Sequence, residues 1–110
     1  MPRFIFTGCY TSDAIKGMLA KPSDREAAAR GIVEAAGGKL VDFYGTTGPK
    51  DFLMIVDIDD ARDLMAGIMV AGASGAISNP ETIRAFSSAE LTTIQEKAQG
   101  LAAAYKAPGS

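Results

Sequence analysis

A chain of 110 residues with a formal net charge of -2 has room for one domain and one modest core. Its composition, 47% hydrophobic and 22% charged, is that of an ordinary globular protein, and its intermixed charges form no basic patch, which speaks against nucleic acid and anionic membranes as partners. The absence of histidine removes the usual general base, the Ser-His and Cys-His nucleophile pairs, and the commonest ligand for zinc and haem.

A single cysteine, Cys9, excludes an internal disulfide and suits a reducing compartment. The segment Met1 to Phe6 enters a strand pattern at once, without the apolar region and cleavage site of a secretory signal. No apolar run approaches the ~20 residues that a membrane-spanning helix needs. The expectation is a cytoplasmic protein with no metal and no cofactor.

In chain order, Arg3 to Tyr10 reads as a first strand, with Phe4, Phe6 and Tyr10 on one side and Ile5, Thr7 and Cys9 on the other. Thr11, Ser12 and Asp13 offer caps for a short helix, Ala14 to Ala20, which Pro22 ends. Ser23-Asp24-Arg25-Glu26 has the form of a capping box, opening a helix that runs to about Ala36 and stops at Gly37-Gly38. Lys39 to Thr47 and Asp51 to Ile58 then read as a hairpin around Gly48-Pro49-Lys50-Asp51. The second of these strands is apolar on both faces, with Phe52, Met54, Val56 and Ile58 on one and Leu53 and Ile55 on the other. A half-exposed strand alternates instead, so both faces of this one must be covered.

Asp59 and Asp60 cap a third helix, whose apolar stripe reads Ala61, Leu64, Met65, Ile68, Met69 and Gly72. After the turn Gly72 to Gly75, a fourth strand is expected as Ile77 to Ser78 and Thr82 to Phe86, interrupted at Asn79-Pro80 as in an edge or a bulge. Ser87-Ser88-Ala89-Glu90 is a second capping box, starting a helix to about Tyr105 with Leu91, Ile94, Ala98, Leu101, Ala102 and Tyr105 on one stripe. The tail 106–110 is expected to fray.

The order β-α-β-β-α-β defines an α+β, ferredoxin-like fold: a four-stranded antiparallel sheet with helices on one face, plus an extra C-terminal helix. The expected division is a ferredoxin-like domain over 1–88 and the helix and tail over 89–110. The helices leave one sheet face free, and the third strand makes that face apolar. Burying Phe, Met and Val side chains there contributes roughly 1.5–3 kcal/mol each, so the expected state is a homodimer or higher homo-oligomer with sheets packed together. The competing arrangement folds the last helix back over its own sheet.

Tyr10-Thr11 closing the first strand, Gly17 in the short helix, Arg25-Glu26 at the next helix start and Gly37-Gly38 before the second strand form an ordered set. Phe43-Tyr44, the turn Gly48 to Phe52 and the Asp59-Asp60 cap extend it. Over roughly Met1 to Leu91 this set resembles the GYD domain proteins, small bacterial proteins allied with the dimeric α+β barrel superfamily. The resemblance implies a dimeric barrel and a short menu of roles: cofactor-independent monooxygenases, isomerases and dehydratases, beside plain binding modules. The family usually shows Gly-x-Tyr-Asp at the hairpin; this chain keeps Gly48 and Asp51 but has Lys50 at the tyrosine position.

Six residues are candidates for binding a ligand: Tyr10, Asp42, Tyr44, Lys50, Asp51 and Arg84. Tyr10 and Tyr44 end strands and could turn their hydroxyls into one cavity, either to satisfy the fold or to donate to a substrate oxygen. Lys50 and Asp51 either build the turn or stand at a pocket mouth facing an anionic or carbonyl substrate. Asp42 shares parity with Leu40 and Tyr44; if buried, it needs a partner such as Arg84, or it serves as a general base with a raised pKa. Cys9 reads as a small hydrophobe, Ser74 as a turn residue with no histidine to activate it, and the aspartates at 57, 59, 60 and 63 as a helix cap and not a calcium loop. The expected pocket lies between the sheet and the helices at 14–36 and 61–72, lined by Phe6, Cys9, Tyr10, Phe43, Tyr44, Met54 and either Met65 or Met69, with Asp42, Lys50 or Arg84 supplying polarity. A small-molecule binding protein or cofactor-independent enzyme would keep that pocket open; a structural or regulatory oligomer would close it.

Overall fold

The computed structural model describes residues 1–109; Ser110, part of the tail expected to fray, lies outside the described residues. Strand β1 (Arg3–Tyr10) is followed by helices α1 (Ser12–Ala20) and α2 (Arg25–Ala35), then by strands β2 (Lys39–Gly45) and β3 (Phe52–Asp57). Helix α3 (Ala61–Ala73), strand β4 (Ile77–Ala85) and helix α4 (Ser88–Leu101) follow, with a single 3-10 turn at Ala102–Ala104. The strands order as β2-β3-β1-β4, every neighbouring pair antiparallel, which is the ferredoxin-like α+β fold. Among the described residues no helix is long and apolar enough to cross a membrane.

Local chemistry sets most boundaries. The Thr11 hydroxyl caps α1 by accepting from the Ala14 N–H, and Ser87 and Glu90 complete both bonds of the box that opens α4. At α2 the cap is Asp24, whose carboxylate accepts from the Ala27 N–H, so the box expected from Ser23 does not form. The carboxylate of Asp24 sits one residue closer to the helix and supplies the same acceptor. Helix α2 closes with Gly37 at φ 89°, its N–H donating to the Glu34 carbonyl while Gly38 donates to that of Val33. That pair of bonds needs a left-handed residue, which glycine adopts without a Cβ penalty.

Phe6, Val33, Leu40, Phe52, Met54, Val56, Ile58 and Leu64 form the core, between the sheet and the layer of α2 and α3. The Phe52-Met54-Val56 side of β3 therefore faces the helices, not the free face where burial of Phe, Met and Val was expected. The free face carries the other parity in cross-strand rows. One row runs Asp42, Ile55, Ile5 and Ile83; the next runs Tyr44, Leu53, Thr7 and Glu81. Tyr44 and Ile83 are each 54% exposed on it.

Two register shifts shape this face. One, between Leu40 and Asp42, puts Leu40 opposite Val56 but Asp42 opposite Ile55, so these two residues lie on opposite sides and do not share parity as expected. The other inserts a residue into β4 near Asn79, whose φ is 51°. The strand continues through Asn79-Pro80 as one element instead of two.

Helix α4 does not fold back over its own sheet. It buries no residue, leaves Leu91, Ile94, Leu101 and the following Tyr105 exposed, and stretches the molecule to 61 × 32 × 22 Å. The radius of gyration is 17.9 Å, against about 13 Å for a compact chain of this size.

Candidate ligand-binding site

Between the sheet and helices α2 and α3 lies a cavity of about 240 Å³. Phe6, Phe43, Phe52 and Met54 form its floor, and Ala29, Ile32 and Ile68 part of its roof. The roof is thin because the helix faces over it carry small residues: Ala28 and Ala29 on α2, Ala36 just past its end, and Gly67 and Ala71 on α3. At Gly67 the helices come close enough that a Cβ would lie 3.8 Å from Ile32 Cγ1.

At one end the apolar walls give way to Tyr10 and Arg25. Both also line a second hollow of about 300 Å³ beside α1, which Met18, Lys21 and Ser23 help enclose. Tyr10 is half-buried, its ring 5.1 Å from that of Phe52. Burial pushes its phenol above the ordinary value, the Arg25 charge and hydrogen bond pull against that shift, and the Asp51 charge adds to it.

Asp51 holds this end in place. Its carboxylate accepts from the Tyr10 N–H at 2.9 Å, and its own N–H donates to the Gly8 carbonyl at 2.8 Å. Of the six candidates, Tyr10 and Asp51 are brought together here. The other four candidates lie elsewhere. Lys50 reaches across to β4, donating to the Asn79 carbonyl at 2.7 Å and pairing with Glu81 at 3.2 Å. Asp42 and Tyr44 are exposed on the free face.

Arg84 sits opposite Phe4, six residues along β1 from Tyr10 or about 20 Å away. Its guanidinium lies 4.4 Å from the Phe86 ring centroid and 3.9 Å from the Glu90 carboxylate, so the Asp42–Arg84 pair does not form. Cys9 points to the free face beside Ser78 and donates to the Pro49 carbonyl, away from the cavity wall where it was expected. Met65 and Met69 also point away, 57% and 65% exposed. The inward stripe of α3 is Leu64, Gly67, Ile68 and Ala71, one position round from the expected one.

Arg25 was missed as a site residue. The signal was present: Arg25, Ala29, Ile32 and Ala36 recur at helical spacing, so one cation opens an otherwise apolar stripe. Among the described residues no group of three His, Cys, Asp or Glu side chains is placed to hold a metal.

With this geometry in view, the GYD domain profile matches residues 4–94 of the chain. The chain belongs to the GYD domain family. No curated protein matches this GYD chain. Among solved structures it is similar to TTHA0845 from Thermus thermophilus, with 17% identity, a TM-score of 0.52, and coverage of 80% of this chain and 96% of that one. It is also similar to MtbAldR, with 17% identity, a TM-score of 0.52, and coverage of 78% of this chain and 52% of that one. A third is the transcriptional regulator NMB0573 of Neisseria meningitidis in complex with L-Met, with 11% identity, a TM-score of 0.52, and coverage of 79% and 51%. The GYD chain thus spans about half the length of the latter two proteins, and likeness at such low identity establishes the ferredoxin-like fold. Within this GYD chain, Lys50 of the β2–β3 hairpin is tied to β4 by Glu81.

Proposed function

We propose that this GYD protein binds a small organic molecule between its sheet and helices and works as a homodimer or higher homo-oligomer. The cavity carries the reading: 240 Å³ of space with apolar walls, polar groups converging at one end, and a size near the lower bound of ligand pockets. A purely structural oligomer has no use for an apolar cleft of that volume left open between sheet and helices, since its walls forgo the packing contacts that closure would bring. The L-Met complex of NMB0573 gives one instance of this fold in a protein that takes a small ligand.

The oligomer rests on the free face and on α4. Ile55, Ile5 and Ile83 form an apolar row bordered by Asp42, Lys39 and Glu81, the pattern of a sheet that meets another sheet. Helix α4 extends its apolar stripe beyond the reach of its own core, where a partner can receive it. On this reading residues 1–88 hold the ligand and 89–110 embrace the second subunit.

Native mass spectrometry of freshly purified protein tests both parts together. The expected spectrum shows a dimer or larger species carrying a co-purified small molecule, and Ile5→Lys, which places a charge at the centre of the row, shifts the protein to monomer. A ligand-free monomer for the unaltered protein would remove the support for both parts.

A further inference from the structure

We infer that the ligand is a singly charged amphiphile, with an apolar body inside the cavity and one carboxylate at the junction of the two hollows, meeting Arg25, Lys21 and the Tyr10 hydroxyl. This rests on the binding reading above and adds the chemistry of what is bound.

The arginines give the first argument. Arg3, Arg30, Arg62 and Arg84 each have a carboxylate oxygen within 3.9 Å. Arg25 alone among the five has no carboxylate partner among the described residues, although it is only half-exposed and borders apolar walls. A guanidinium in that setting loses hydration without gaining a counter-ion, and a carboxylate matches its planar fork. Lys21, on the rim of the adjoining hollow, adds a second positive charge without a carboxylate partner among the described residues.

The cavity gives the second. Its lining beyond Arg25 and Tyr10 is apolar except for Ser74, so the part of the ligand inside must be hydrocarbon or aromatic. At roughly 30 Å³ for each heavy atom, the share a water takes in liquid, the space holds about eight of them. Asp51 gives the third. Its carboxylate is fixed at the Tyr10 backbone, and its charge is felt by the Tyr10 phenol. That nearby anion favours one negative charge on the ligand over two.

Octanoate and its neutral counterpart octanamide are the probes. Each is titrated calorimetrically into the unaltered protein and into Arg25→Met, which keeps the bulk of the side chain but not its charge, with amide spectra locating the site. Octanoate is expected to bind about tenfold or more tightly than octanamide, the ratio that follows from one charge-assisted hydrogen bond. In Arg25→Met the ratio of the two affinities falls toward one, and the amides of Tyr10, Ala29 and Ile32 shift in the unaltered protein. Arg25→Gln provides the same comparison if the methionine variant folds poorly.

Equal affinities in the unaltered protein would overturn the anionic head and leave the cavity as a ligand site. Persistence of the preference in both variants would place the anion away from Arg25 and overturn the inference equally. Failure of both probes to bind would overturn it together with the binding reading beneath it.

Discussion

Gly8→Ala is expected to destabilise the protein through one ring. Gly8 pairs with Phe52 across β1 and β3, and a Cβ there would stand 2.7 Å from Phe52 Cζ and 3.0 Å from Cε2. A flexible side chain would swing aside at little cost. Phe52 is 2% exposed and is enclosed by three other rings: Phe6 edge-on at 5.5 Å, Tyr10 at 5.1 Å and Phe43 stacked at 6.3 Å. Gly8 forms the fourth wall, so the ring can retreat only by displacing a neighbour or entering the cavity it lines. Overpacking of this kind costs about 1–3 kcal/mol, from which replacing a strand glycine returns about 0.5–1 kcal/mol. The net loss is roughly 0–2.5 kcal/mol, its midpoint worth several degrees in Tm for a domain of this size. The assay is a double-mutant cycle with Phe52→Leu, followed by urea unfolding at one fixed protein concentration because self-association would shift the midpoints. Leucine ends short of the clashing ring atoms, so Gly8→Ala should be neutral or mildly stabilising in that background. An equal cost in both backgrounds would refute the steric origin. A small cost accompanied by weakened octanoate binding would show instead that the ring had moved into the cavity.

Two further predictions concern pH. Arg3 donates from Nε to Asp57 Oδ1 at 2.8 Å and from Nη2 to Oδ2 at 3.0 Å, and this hydrogen bonding holds the Asp57 carboxyl below its ordinary value. A depressed folded-state pKa contributes stability that is present above the unfolded value of about 3.9 and lost as pH falls through the folded one. Asp57→Asn should therefore flatten the acid limb of a plot of urea midpoint against pH, and an unchanged limb would show that the pair contributes nothing. Tyr10 works in the opposite direction. Its phenol is raised chiefly by burial, so above about pH 10 the unfolded chain ionises first and stability falls with rising pH. Tyr10→Phe should remove that part of the alkaline decline, as read from urea midpoints between about pH 9 and 11.

The sequence by itself determined the order and kind of every strand and long helix, because those signals are local. The Ser87–Glu90 box, the Gly37-Gly38 stop and the apolar run of β3 each act within a few residues, and the antiparallel ferredoxin-like topology follows from their order. Tyr10 and Asp51 were each singled out from the residues alone, but their meeting depends on the pairing that sets the end of β1 beside the start of β3. What only the tertiary structure decided were matters of register and rotation. The bulge after Leu40 turned Asp42 and Tyr44 away from the cavity, and the insertion near Asn79 kept β4 continuous. Helix α3 is apolar nearly all round, so its periodicity cannot say which stripe faces inward; the approach of Ile32 to Gly67 selected that stripe and turned Met65 and Met69 outward. The cavity and its arginine arose in the same way: each helix is shaped by its own neighbours in sequence, but the space left between two helices and a sheet depends on contacts among residues far apart in the chain.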